Sequence, residues 1–541
     1  MERRLQQLWA TVLGLDDPSV IAADASFFRI GGDSIAAIRL SQRASEDGLA
    51  LTAADIFRKP RLCDLALLVR EGNATSYHEP RPFSLMSARG SGSAESNRLP
   101  DDLAARIGPL LEWPQHHIAD VYPTTDLQNH YVSAAVDAHR GEVEYIYMDL
   151  PRGVDLARVQ RSCLALWRHL DILRTVFIVD PQTRQPLQVV LNNVEPEIEV
   201  RHTEGDLRAA CEQVYREDLH RPLYLGRSFT RFFITANRAS GDARLTLRLS
   251  HAQYDGFSLP IIFSLFAAFH RDDTPPPAAP KFAGYLRHVQ KQRHAAEPYW
   301  RRLLEGSCIT QTRHLSGLDG ACRPNQHHGQ LVQSKSTVPA PPARPGSTPA
   351  TVFTTLCART LAQLTGVRDV VFGNIVSGRA TLPTALQTVA GPCVNTIPVR
   401  LRVEPEQSLT QQLATVHAQH IYSLPFETSQ FSEIAAHCTD WPGDARAPGL
   451  VVQFQNLDNL EHDPGTAMHD TTGGGGGTLA AYERPAADRL VDSDCLFILA
   501  KPVRDAWELS VAASDKLHTQ ATLDAVLDAL CSQVEMVARG D

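Results

Sequence analysis

The chain has 541 residues, 43% of them hydrophobic and 21% charged, and a formal net charge of −9 at pH 7. It is too long for one ordinary core and has a globular composition, so a few domains are expected. No run of lysine and arginine concentrates positive charge, which excludes nucleic acid as a main partner, and no stretch of about 18 apolar residues is present to span a membrane.

The N-terminal "MERRLQQLWATVLGL" has apolar residues at helical spacing, an amphipathic helix rather than a signal-peptide core. Leu5, Leu8, Trp9, Val12 and Leu15 form one stripe, Ile35, Ile38 and Leu40 part of a second, and Leu62, Leu65, Leu68 and Val69 a third. These predict a small all-α unit over residues 1–75. From Glu71 to Pro100 the composition turns to Ser, Gly, Pro and charge, and residues 76–100 read as a flexible linker.

Beyond it, strand-like runs ("TVFIV" from Thr175, "ARLTLRL" from Ala243, "DVVFGNIV" from Asp369) alternate with helix-like ones ("DLARVQRSCLALWRHL" from Asp155, "TVFTTLCARTLAQLTG" from Thr351), an α/β pattern. "DDTPPPAAPK" (Asp272–Lys281) and "TVPAPPARPGSTPA" (Thr337–Ala350) are unsuited to helix or central strand. They suggest two lobes, 101–275 and 276–541. "TTGGGGGT" (Thr471–Thr478) reads as a surface loop; no Lys-Ser/Thr follows to make it a phosphate cradle. The ten cysteines show no CxxC pair, which fits buried thiols in a reducing, cytoplasmic compartment better than disulfides or a zinc site. No metal is expected.

Two short stretches carry chemistry. In "FFRIGGDSIAAIRL" (Phe27–Leu40) Gly31, Gly32 and Asp33 form a turn, so Ser34 opens a helix. Asp33 or Ser34 could simply cap that helix; a nucleophilic serine lacks its G-x-S-x-G elbow; and a phosphate-linked arm would find free N–H groups and a positive dipole end there. In "SHAQYDGFSL" (Ser250–Leu259) the alternation of Leu245, Leu247 and Leu249 predicts a half-buried strand that delivers His251 into a loop closed by Gly256, with Asp255 close by.

The first stretch resembles the attachment motif of peptidyl carrier (thiolation) domains of nonribosomal peptide synthetases. The resemblance covers roughly residues 1 to 75 and includes "DASFF" at Asp24–Phe28 and "DIFRKPRLCDLA" from Asp55. It implies 4′-phosphopantetheine on Ser34, placed by a phosphopantetheinyl transferase. The second resembles the HHxxxDG motif of condensation domains, with Ser250 in place of the first histidine, a departure typical of terminal condensation-like domains of fungal synthetases. "YPTTDLQNHYV" (Tyr122–Val132), "RHLDILRTVF" (Arg168–Phe177), "EPYWRRLLEG" (Glu297–Gly306), "VVFGNIVSGR" (Val370–Arg379), "VAGPCVNTIPVR" (Val389–Arg400), "LPFE" (Leu424–Glu427) and "VVQFQN" (Val451–Asn456) follow the family's order.

The resemblance implies a four-helix carrier bundle followed by an α/β domain of two chloramphenicol-acetyltransferase-like lobes, an acyltransferase with His251 as catalytic residue in a tunnel between the lobes. Asp255 would be structural, paired with Arg174 in a buried ion pair; Asn395 and Ser258 are candidates for lining the cleft. The substrate would be a carrier-bound peptidyl thioester delivered by upstream synthetase modules. With no adenylation domain or second carrier following in this sequence, the expected act is release by intramolecular amide or ester formation. Intermolecular condensation, epimerisation and an inert carrier-binding module are the rivals. An epimerisation domain would show a "GWFT"-like segment where this chain has "GPCVNTIP".

Overall fold

A computed structural model describes residues 1–32, 34–71, 77–86, 98–137, 140–271, 276–312, 315, 329–342, 344, 347–443, 448–455, 479–481, 490–491 and 495–539. The Gly-rich stretch at 471–478 lies outside them. The N-terminal stripe closes a four-helix bundle of α1 (Glu2–Leu13), α2 (Ser34–Glu46), α3 (Ala53–Arg58) and α4 (Leu62–Leu68). Leu5, Trp9, Phe27, Ile38, Ile56 and Leu65 are buried together, with Trp9 edge-on to Phe27 at 5.1 Å. Gly14 ends α1 at φ 66°, a left-handed position that glycine adopts without steric cost. Thr52 and Asp55 start α3 with a reciprocal capping box.

Part of the expected linker is moored, which corrects the picture of a uniformly flexible tether. Phe83 N–H donates to Asp120 Oδ1 at 2.6 Å and Lys281 N–H to Glu79 Oε1 at 3.1 Å. Tyr77, Leu85 and Met86 pack on the core of the following lobe, because four large apolar side chains interrupt an otherwise polar stretch. Burial pushes the Asp120 carboxyl up to about 6, against two N–H groups that favour its charge.

The first lobe carries α5 (Asp101–Ile107), α6 (Asp126–Val136), α7 (Leu156–His169), α8 (Leu207–Leu219) and α9 (Ser258–Arg271). Its five-stranded sheet has the order 479–481, 143–150, 243–250, 231–237, 198–203, and a three-stranded sheet has the order 118–123, 186–191, 175–179. The strand 243–250 is buried on both faces rather than one. Thr246 and Arg248 face a second layer under α6 and α8, where Arg248 donates to Asp218 Oδ2 at 2.8 Å and to the Phe229 carbonyl at 2.9 Å. A charge is tolerated there because Asp218 gathers Arg140, Arg231 and Arg248; burial opposes its charge, but Arg248, the Tyr145 hydroxyl and Arg140 hold it down at about 2.

Helix α10 (Phe282–Leu304) leads into the second lobe, which holds α11 (Pro349–Thr365), α12 (Leu409–Ser423), α13 (Phe431–Cys438) and α14 (Gln520–Arg539). Its sheet has the order 395–402, 369–376, 450–454, 496–503, 506–514, 329–339, 490–491. The proline-rich stretch joins this sheet after all. Thr337–Pro339 complete a strand whose one long partner is 506–514, and such an edge tolerates proline. Residues 479–481 cross back to pair with 143–150 of the first lobe.

Candidate active site

His251 follows the strand 243–250 directly, on a turn that four neighbours hold. Its N–H donates to the Glu142 carbonyl at 2.9 Å. Gln128, buried in α6, donates to the Ala252 carbonyl at 3.0 Å, while Gln253 donates to the Ile172 carbonyl at 3.1 Å and to Thr230 Oγ1 at 2.9 Å. The ring of Tyr254 stacks on the His251 ring at 4.4 Å and 25°, and its hydroxyl lies 3.1 Å from His251 Nε2. Tyr131 of α6 faces the same ring at 5.4 Å. The imidazole is thus part-exposed and held in orientation, the condition for a group that accepts a proton or hydrogen-bonds an oxyanion.

Asp255 points away from it. Its Oδ1 accepts from the Ser258 N–H at 2.8 Å and hydroxyl at 2.7 Å, and its Oδ2 from the Cys393 N–H at 2.9 Å and Arg379 Nη2 at 3.1 Å. Arg379, 1% exposed, also reaches the carbonyls of Val389 and Gly391. This buried pair straps the second lobe to the histidine loop, with Gly256 in the turn between Asp255 and α9.

Arg174 is therefore not the partner of Asp255, as expected from the sequence. It pairs with Asp171 three residues before it and donates to the Leu191 carbonyl, since a carboxylate one turn away satisfies its guanidinium locally. Ser250, with no exposed surface, caps the turn: its Oγ accepts from Ala252 N–H at 3.2 Å. Both suggested cleft residues are buried and bonded within the protein. Ser258 is fully buried against Asp255 and the Gly391 carbonyl, and Asn395 donates to the carbonyls of Glu427 and Ser429 at 2.8 and 2.7 Å. Sequence reasoning missed Tyr254, although it stands inside the motif, and Arg379, which closes the quoted "VVFGNIVSGR" just after Gly378 at φ 65°. It also missed Glu427, a buried carboxylate that accepts from Ala380 N–H at 2.6 Å and that burial pushes up to about 7.

Ser34 opens the 13-residue helix α2. A Cβ at Gly32 would lie 2.5 Å from the Phe27 ring, so only glycine lets the chain turn tightly into that helix end. A serine at a helix start fits a phosphodiester, which finds free N–H groups and the positive end of the helix dipole there. The bundle that carries it lies on the second site element: Ala54 N–H donates to the Ala380 carbonyl at 3.2 Å, and the bundle's core continues onto Phe257, Ala380 and Leu424. Among the described residues no cluster of three histidines, cysteines or acidic groups is placed to hold a metal, and no helix is long and apolar enough to cross a membrane.

Fold and site together define an acyl-carrier bundle seated on a two-lobed acyltransferase. Comparison with known families agrees: residues 118–540 match the condensation domain and residues 3–69 the phosphopantetheine attachment site. The chain belongs to the condensation-domain family, acyltransferase-type enzymes that form amide and ester bonds, and within it the condensation domain is preceded by a carrier whose prosthetic group is phosphopantetheine. Over all 541 residues it is 96% identical to the nonribosomal peptide synthetase ungA of Aspergillus violaceofuscus, and it is 33% identical over 562 aligned positions, 99% of the chain, to PF 1022-synthetase of a Rosellinia species. It spans 6% and 17% of the lengths of these two relatives. A solved structure described as holo T3CT superposes with a TM-score of 0.66 at 23% identity, covering 84% of this chain and 98% of that one, and supports the two-lobed fold.

Proposed function

We propose that this chain releases a peptidyl thioester from its own carrier by intramolecular attack, giving a cyclic amide or ester. The observation that carries the reading is the shared element: the carrier bundle rests on Phe257 and Ala380, and these flank the Asp255–Arg379 strap that holds the His251 loop. Ser34 would hold the phosphopantetheine arm after a phosphopantetheinyl transferase acts. When bound, that arm supplies a thioester, an acyl group with a good leaving group. His251 then accepts the nucleophile's proton or steadies the oxyanion, and Tyr254 and Tyr131 hold its ring in orientation. Phe257, Arg379 and the strap hold the loop still without touching the reacting atoms.

Support for cyclisation comes from Ser250 at the first motif position, as in terminal condensation-like domains of fungal synthetases, and from the likeness to PF 1022-synthetase. The reading places the protein in the cytoplasm, with neither metal, membrane nor nucleic acid taking part. Its test is acceptor dependence. With a peptide loaded on Ser34, adding millimolar free amino acid should leave the release rate unchanged, because an internal nucleophile has a far higher effective molarity. A rate rising in proportion to the added amine, with the amine incorporated, would replace cyclisation by intermolecular condensation.

A further inference from the structure

Resting on the reading that the carrier presents its acyl chain to His251, we infer that the face around Gln387 is a seat that selects the carrier by the side chains at positions 41 and 42. Gln387 follows the turn Thr384–Leu386 in the second lobe and is 3% exposed. Its side-chain Nε2 donates to Ser41 Oγ of α2, and its main-chain carbonyl accepts from Gln42 Nε2 at 3.0 Å. The Ser41 hydroxyl in turn donates to the Leu51 carbonyl at 2.7 Å. Position 41 therefore needs one group that both accepts and donates, which a serine or threonine hydroxyl supplies and an alkyl or cationic side chain does not.

The rest of the seat is apolar or main-chain. Phe57 lies edge-on to His420 at 5.4 Å, Ala54 bonds the Ala380 carbonyl, and Phe257, Ala380 and Leu424 close the carrier's core. Such contacts accept any carrier of similar shape. Discrimination falls on Gln387, whose Oε1 has no partner among the described residues and whose Nε2 has only Ser41. A carrier without a hydroxyl at that position buries the amide N–H group unpaired, and sites built to bond a hydroxyl reject analogues that lack it. The Gln387 carbonyl also lies 3.4 Å from Arg379 Nη1, so the seat shares a peptide with the strap to Asp255.

The test uses the full chain with its arm attached, in two readouts: amide hydrogen exchange over residues 36–57 and 380–391, which needs no turnover, and the rate of release of a loaded peptide. Ser41→Ala and Gln387→Ala should each speed exchange in both segments and slow release about tenfold, with the double variant no worse than either single. Ser41→Thr should behave as wild type, as should Ser19→Ala on the carrier's exposed side. If exchange follows this pattern while nothing is released, the cyclisation reading fails and the seat stands. Unchanged exchange in both single variants, or losses that add in the double, would overturn the seat.

Discussion

With both oxygens of Asp255 occupied by Ser258, Arg379 and the Cys393 N–H, the carboxylate cannot orient His251 as in a catalytic triad. Loss of either member of the buried pair leaves an uncompensated charge, so Asp255→Ala and Arg379→Ala should each cost about 3–5 kcal/mol of stability, read as a lowered Tm, and lower activity with it. His251→Ala should keep the wild-type Tm and abolish release. Equal destabilisation in all three would make His251 structural. Tyr254→Phe keeps the stacked ring but removes the hydroxyl at Nε2. It should slow release while leaving the unfolding free energy within about 0.5 kcal/mol of wild type, and wild-type pH and rate behaviour in that variant would remove the tyrosine from the site. The motif made His251 and Asp255 legible in the sequence. Partner choice was not: Arg174 and Arg379 both lie within quoted motifs, and only the fold shows that Asp171 satisfies one while a turn at Gly378 delivers the other.

At the scale of elements, the loop 378–393 connects carrier, strap and the "LPFE" segment, and Glu427 sits beneath it. Because burial raises the Glu427 carboxyl from 4.5 to about 7, the folded state favours its protonated form. That contribution is fully present below about pH 4.5 and is lost as the pH rises through about 7. Glu427→Gln retains an oxygen for the Ala380 N–H and removes the charge. It should stabilise the protein by up to about 3 kcal/mol at pH 8 and by under about 1 kcal/mol at pH 5, measured as unfolding free energies; a gain equal at both pH values would show that the acid does not titrate in this window. Periodicity placed the helices at 2–13, 156–169 and 349–365 and the strands at 175–179, 243–250 and 369–376 well. It failed where a second layer covers a strand: Thr246 and Arg248 look solvent-facing in sequence, yet a counter-charge on α8 allows Arg248 to be buried.

Across the whole molecule, composition shifts separated carrier from acyltransferase, while the mooring of residues 77–86 and the crossing strand 479–481 depend on contacts between segments distant in sequence. Attachment is checked simply: incubation with coenzyme A and a broad phosphopantetheinyl transferase should add one 4′-phosphopantetheine mass to the chain, with adenosine 3′,5′-bisphosphate as the leaving group, and Ser34→Ala should stay unmodified. The central claim concerns what leaves the carrier. When Ser34 carries a pantetheinyl peptide with an internal amine, mass spectrometry of the released material should find a product lighter by one water than the free linear acid, formed by the wild type and not by His251→Ala. A linear acid, a peptide still bound with an inverted α-centre, or an unchanged thioester would contradict it.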